Sequence, residues 1–141
     1  MKKFQLLFAI AWAISTSSSA HAQSTLALQE KCAEGAKAFI LRLDSRSVAS
    51  YDSHYSKKLD GCFLRAGIYL GSTSEDMKLP DGKIKTLKHP HTMQSLYNVF
   101  DSKMIGNFSL IGTEVQDCWI ANTKCKTIDE FENLLKPYLE Q

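Results

Sequence analysis

Four cysteines and three histidines carry most of the reactive potential of this chain beyond its first 22 residues: Cys32, Cys62, Cys118 and Cys125, with His54, His89 and His91. His89-Pro90-His91 sets two imidazoles side by side, and His54 would supply a third ligand for a transition metal or a base for a small hydrolase. The x1 spacing across a proline is not a standard chelate on a helix or strand. No His-Glu-x-x-His string supplies the carboxylate base that a zinc hydrolase needs. Gly71-Ser72-Thr73-Ser74 lacks the Gly-x-Ser-x-Gly pattern that strains a serine nucleophile onto a sharp turn. Glu75-Asp76 and Asp129-Glu130-x-Glu132 place carboxylates close together, as glycoside hydrolysis requires. The second group falls in the first turn of a helix, where negative charge complements the dipole, so a structural role accounts for it. Glycine-rich phosphate loops and dinucleotide fingerprints are missing, and no catalytic residue, no metal and no cofactor is expected.

What becomes of the cysteines depends on the compartment. Residues 1–22 run Met-Lys-Lys, then an apolar stretch from Phe4 to Ile14 broken by Gln5, then Ser/Thr-rich residues ending in Ala20-His21-Ala22. This is the positive, apolar and small-x-small order of a cleaved signal peptide. Eleven helical residues at about 1.5 Å each reach only about half of a hydrocarbon core of roughly 30 Å, so the stretch is too short to anchor the chain. The expected product is residues 23–141, exported to the periplasm or secreted, with no transmembrane anchor. In that setting thiols persist as disulfides. Four cysteines permit three pairings, and the sequence does not choose among them rigorously. Joining nearest neighbours, Cys32 with Cys62 and Cys118 with Cys125, is favoured. Zinc is disfavoured, because Cys-x6-Cys is not knuckle spacing, and oxidised sulfur cannot serve as a nucleophile.

The whole chain carries 17 Lys+Arg against 15 Asp+Glu. Both excess positive charges are Lys2 and Lys3, so the exported part balances at 15 of each. A nucleic-acid binder would carry a basic excess, and that class is set aside. A hydrophobic fraction of 44% over 141 residues suits one globular domain.

The elements that would position these residues follow from periodicity. Leu28, Cys32, Ala36, Phe39, Ile40 and Leu43 recur at spacings of three and four and predict a first helix over Thr25 to Leu43. Ser45 to Ser56 reads as a connector. From Cys62 the period becomes two, predicting a half-buried strand to about Gly71. Residues 71–92, with Leu79-Pro80-Asp81-Gly82 and His89-Pro90-His91, carry enough turn formers to predict a long surface loop. Ser95 to Asp101 and Asn107 to Ile111 read as a hairpin whose turn uses Gly106 at positive φ. Val115 to Ile120 adds a fourth strand. Thr127-x-x-Glu130 is a capping box opening a last helix with the stripe Ile128, Phe131, Leu134, Leu135 and Tyr138. The expected fold is α+β, with about four antiparallel strands covered by an N-terminal and a C-terminal helix and braced by two disulfides.

On that frame the candidate contact residues are His54, Tyr55, Lys83, Lys85 and Lys88. The lysines, with Lys78, make the 71–92 segment locally basic, which would draw an anionic partner. Glu75, Asp76 and Asp81 offset them, and a solvated loop is the plainer account. Tyr51, Tyr55, Tyr69 and Tyr97 are of the type enriched where proteins meet, although in strands tyrosine mostly packs.

The segment Tyr51-x-x-His54-Tyr55-x-x-Lys58-Leu59-x-x-Cys62-Phe63, preceded by a helix carrying Cys32, resembles small exported bacterial proteins of unassigned function. That resemblance implies export and a cystine between Cys32 and Cys62. It transfers no catalytic residue. The expectation is a non-enzymatic binding or accessory protein of the bacterial envelope, such as an inhibitor or adaptor. Its partner would be a protein or envelope component meeting the open face of the sheet or the 71–93 segment. The competing expectation is a small periplasmic hydrolase or metal-dependent enzyme using His54 with His89 or His91. A third is a chaperone acting through exposed apolar surface.

Overall fold

A computed structural model describes residues 17–43 and 47–140. Most of the expected leader, residues 1–16, lies outside these described residues, as do residues 44–46 of the expected connector. The chain folds as helix α1 (Ser17–Arg42), strands β1 (Val48–Ser56), β2 (Gly61–Lys78), β3 (Ile84–Asn98), β4 (Lys103–Ile111), β5 (Glu114–Ile120) and β6 (Thr123–Lys124), and helix α2 (Ile128–Leu139). The strands form one antiparallel sheet in sequence order. The α+β class and the two terminal helices match the expectation, and the sheet has six strands where about four were expected. No described helix is long and apolar enough to cross a membrane.

The helices lie on opposite faces of the sheet. Along the first half of β2, Cys62, Leu64, Ala66 and Ile68 point to one side, where they meet Cys32, Ala36, Phe39 and Ile40 of α1 together with Tyr55, Tyr97 and Val99. Phe63 points to the other, where it joins Leu96, Phe108, Cys118 and Ile120 beneath Phe131 and Leu135 of α2. Period-two alternation is therefore present, but the strand is buried on both faces at this end instead of half-buried. Leu64, Leu96 and Phe131 have no exposed surface, and each fully buried side chain of this kind contributes about 1.5–3 kcal/mol. The stripe predicted for α1 is the one that packs. The helix begins earlier than Thr25, because Ala20, Ala22 and Ala27 are strong helix formers and no breaker separates them from the core stripe.

Three corrections concern the strands. The expected connector contains β1, an edge strand exposed from Ala49 to Asp52 so that its apolar pattern is blurred, yet which pairs from Val48↔Ile68 to Ser56↔Gly61. The expected loop over 71–92 is instead the continuation of β2 and the start of β3, paired from Gly71↔His91 to Lys78↔Ile84. Pro80-Asp81-Gly82 is its hairpin turn, closed by the Leu79 N–H donating to the Lys83 carbonyl at 2.8 Å. In the β3–β4 turn it is Ser102, not Gly106, that takes positive φ, at 52°. Gly106 lies buried within β4 for a different reason, since a Cβ there would sit 2.8 Å from Ile120 Cγ1.

Both favoured disulfides are formed. Cys32–Cys62 bonds α1 to β2 with Cα atoms 5.3 Å apart, and Cys118–Cys125 closes the loop after β5 with Cα atoms 5.0 Å apart. No free cysteine remains. At the start of α2 the Glu130 N–H donates to Thr127 Oγ1 at 3.2 Å, and Glu130 Oε2 accepts from the Lys126 N–H at 2.7 Å. This is the predicted capping arrangement, displaced by one residue on its return arm.

Candidate functional site

The histidines sit on two distant parts of the sheet. His54 on β1 is level with Phe63 of β2, whereas His91 and His89 are level with Gly71 and Thr73. The eight-residue separation along β2 from Phe63 to Gly71 corresponds to about 26 Å at strand rise. The structure does not bring the three imidazoles together, and the described residues contain no group of three or more metal-ligating side chains. His54 is half-buried on the α2 face, with its Nε2 enclosed and without a hydrogen-bond partner among the described residues. His89 Nε2 lies 3.5 Å from Glu75 Oε2, close enough for an ion pair when the ring is protonated but not aligned as a hydrogen bond.

Tyr55 points the opposite way from His54. It is buried against α1, its N–H donates to Gln29 Oε1 at 2.9 Å, and its hydroxyl donates to Asp60 Oδ1. The hydrogen bond to Asp60, then burial, then the carboxylate's charge hold the phenol above its usual range. Tyr55 thus anchors the β1–β2 turn beside the Cys32–Cys62 bond. An open depression of about 500 Å³ lies nearby, lined by Lys58, Lys136, Pro137 and Glu140. Its lining offers two ammonium groups and one carboxylate, and no nucleophile paired with a base.

Two polar clusters escaped the sequence reading. On the α2 face, Arg65 Nε donates to Asp52 Oδ1 at 2.9 Å, and Nη1 donates to Glu132 Oε2 at 3.0 Å and Oε1 at 3.1 Å. Burial works against the charge of this guanidinium, but the hydrogen bond to Asp52 and the charges of Asp52 and Glu132 outweigh it and raise its pKa. The cluster clips α2 onto β1 and β2. On the opposite face, Ser95 Oγ donates to Asn107 Oδ1 at 3.3 Å, Asn107 Nδ2 to Asp117 Oδ2 at 3.1 Å, and Trp119 Nε1 to the same oxygen at 2.8 Å. Two donors thus hold one carboxylate oxygen in place, which suits a rigid surface more than proton transfer. The alternation of β2 placed Arg65 opposite Leu64 and was a usable signal for the first cluster. Nothing local in the sequence pairs Asn107 with Asp117.

The feature that most sets this molecule apart is the hairpin continuing from the sheet. β1 stops pairing at Ile68, with the Ser47 carbonyl accepting from the Tyr69 N–H at 2.8 Å. β4 stops at His91, with the Gly112 N–H donating to the Pro90 carbonyl at 2.8 Å. Beyond these points β2 and β3 pair only with each other among the described residues, for about 30 Å of strand on the β2 side. Glu75 to Lys78 and Ile84 to Thr86 are exposed throughout. Tyr69, Leu70, Met77 and Ile84 leave large apolar surfaces in water, Ile84 at 70%. A bulge after Tyr69, with Gly71 at φ 107°, marks the point where the arm departs. The candidate lysines lie on this arm without forming one patch. Lys83 is at the tip, 3.3 Å from Asp81, whereas Lys85 and Lys88 occupy strand positions of opposite parity and so opposite faces. Compared with known proteins, the chain matches no family model, no curated protein and no solved structure.

Proposed function

We propose that this protein is a non-enzymatic exported binding protein of the bacterial envelope, and that it engages a protein partner or envelope component through the β2–β3 arm. The arm carries the reading. Two strands reach beyond a doubly covered body with both outer edges unpaired among the described residues, and unpaired backbone N–H and C=O groups are a template for another strand. An isolated two-stranded ribbon is marginal in water, so a long exposed one needs a use for its surface. The two disulfides fit an oxidising compartment, and they brace the body to which the arm is attached.

The test is affinity capture from envelope extract by the exported protein and by a shortened form lacking residues 74–77 and 85–88. These deletions remove four paired positions from each strand and preserve the turn, the register and the side-chain parity. The expected result is loss of the captured partner with the melting temperature of the body unchanged. Equal capture by both forms would refute the arm as the contact surface.

A further inference from the structure

The two edges of the arm are not equivalent. Pro90 directs its carbonyl toward β4, so by alternation Lys88, Thr86 and Ile84 also face outward from β3, and their partners Ser74, Asp76 and Lys78 face outward from β2. The β3 edge is guarded by lysine and by a proline without an N–H, both of which discourage strand addition. The β2 edge from Leu70 to Met77 has neither. Its free stretch begins after Tyr69, whose N–H is taken by Ser47, and ends at Lys78, where the turn begins. Ser74 is its midpoint.

We propose that this edge is a strand-pairing site for a second copy of the same chain, with the two β2 strands antiparallel about a two-fold axis at Ser74. The proposal rests on the arm being the contact surface and names one occupant for it. In this register Ser74 faces Ser74 of the second copy, Asp76 faces Ser72, Glu75 faces Thr73 and Lys78 faces Leu70. No like charges oppose one another. Displacing the axis to Glu75 would set two carboxylates face to face, at a cost. Displacing it to Thr73 would require Lys78 to pair with Ile68, whose place in the ladder is already taken by Val48. The chosen register uses the free edge from Leu70 to Lys78.

Side-chain space agrees with the backbone. Met77, 44% exposed, would face Gly71 of the second copy, where a Cβ would find no atom within 4 Å. The methylenes of Lys78 would cover Leu70, which is 48% exposed. Each arm would continue the lane that β1 vacates, so that the two sheets join through their arms.

The register sets a sharp test on the exported, disulfide-bonded protein. Outward-facing partners in an antiparallel ladder have Cα atoms about 5.5 Å apart, within disulfide range. Because all four native cysteines are bonded, Ser74→Cys introduces the only free thiol, and it should form a crosslinked dimer under mild oxidation. Thr86→Cys, on the guarded edge, should remain monomeric. Ser74→Pro removes an N–H that the arm itself does not use, and should weaken the dimer seen by sedimentation at least about tenfold, as expected for a lost ladder contact. Thr86→Pro should leave the dimer intact. A monomer at every concentration, with the Ser74→Cys thiol free, would overturn the second copy as occupant. If Ser74→Pro then still abolished capture from envelope extract, the arm would stand as a contact surface for a different strand.

Discussion

Strand β2 runs from a body in which Cys62, Phe63 and Leu64 are buried on both faces into an arm in which Glu75, Asp76, Met77 and Lys78 are exposed on both. The same hydrogen-bonding ladder with β3 continues through the two regions. What changes is everything around the ladder: helices above and below, neighbouring strands on each side, and a cystine at the base. Backbone pairing alone therefore does not distinguish a structural core from a projecting limb. Burial does, and it divides the labour. The body holds the fold, whereas the arm places unpaired edges and apolar side chains where another chain can reach them.

The contrast should appear first in large-to-small substitutions. Phe131→Ala removes a ring with no exposed surface that lies 5.4 Å from Phe108, and is expected to cost about 3–5 kcal/mol. Ile84→Ala in the arm should change stability by less than about 0.5 kcal/mol. Thermal or denaturant unfolding of both variants checks the pair, and comparable losses would erase the distinction. Next in size is the brace between α1 and β2. Cys62→Ser opens a crosslink spanning 30 residues and is expected to cost roughly 3–4 kcal/mol, whereas Cys118→Ser, opening one that spans 7, should cost roughly 2 kcal/mol. Equal losses would argue against chain entropy as the source.

The smallest effect concerns pH. The phenol of Tyr55 is held above its ordinary pKa, so it contributes stability that is present below about pH 10 and is lost as pH rises through the folded value. Comparing melting of the native protein and Tyr55→Phe from pH 8 to about pH 11 should show a steeper alkaline decline in the native protein. Parallel curves would mean that the Asp60 contact does not persist in solution.

The body was legible in the sequence because its signals are local and reinforce one another. Leu28 to Leu43 repeats at helical spacing, Cys62 to Ile68 alternates, and Thr127 with Glu130 marks the start of α2. The arm carries little of that signal, because burial supplies most of it. Exposed on both faces, Ser72 to Lys78 and Ile84 to Thr86 show no apolar period, and the nearby turn formers then suggest a loop. Pro80-Asp81-Gly82 nonetheless fits a hairpin turn, and paired segments of equal length, 71–78 and 84–91, flank it. β1 was missed for a related reason, since an edge strand needs only part of an apolar pattern. Of the candidate residues, Tyr55 lies level with Cys62 on β2, a neighbourhood set by strand register and not by local sequence. The relation of Lys83, Lys85 and Lys88 to one another depended on strand parity, which a presumed loop does not have.

Native-state hydrogen exchange tests the central claim, that residues 70–90 form a paired arm with open edges, most directly. At dilution where the arms do not pair with a second copy, the account predicts alternation within β2: amides of Thr73, Glu75 and Met77, facing β3, exchange more slowly than those of Ser72, Ser74 and Asp76, which face outward, while the amides of Leu64 and Leu96 exchange only with unfolding of the body. Uniformly fast exchange from Ser72 to Lys88 would show a loop instead of an arm and would contradict the account.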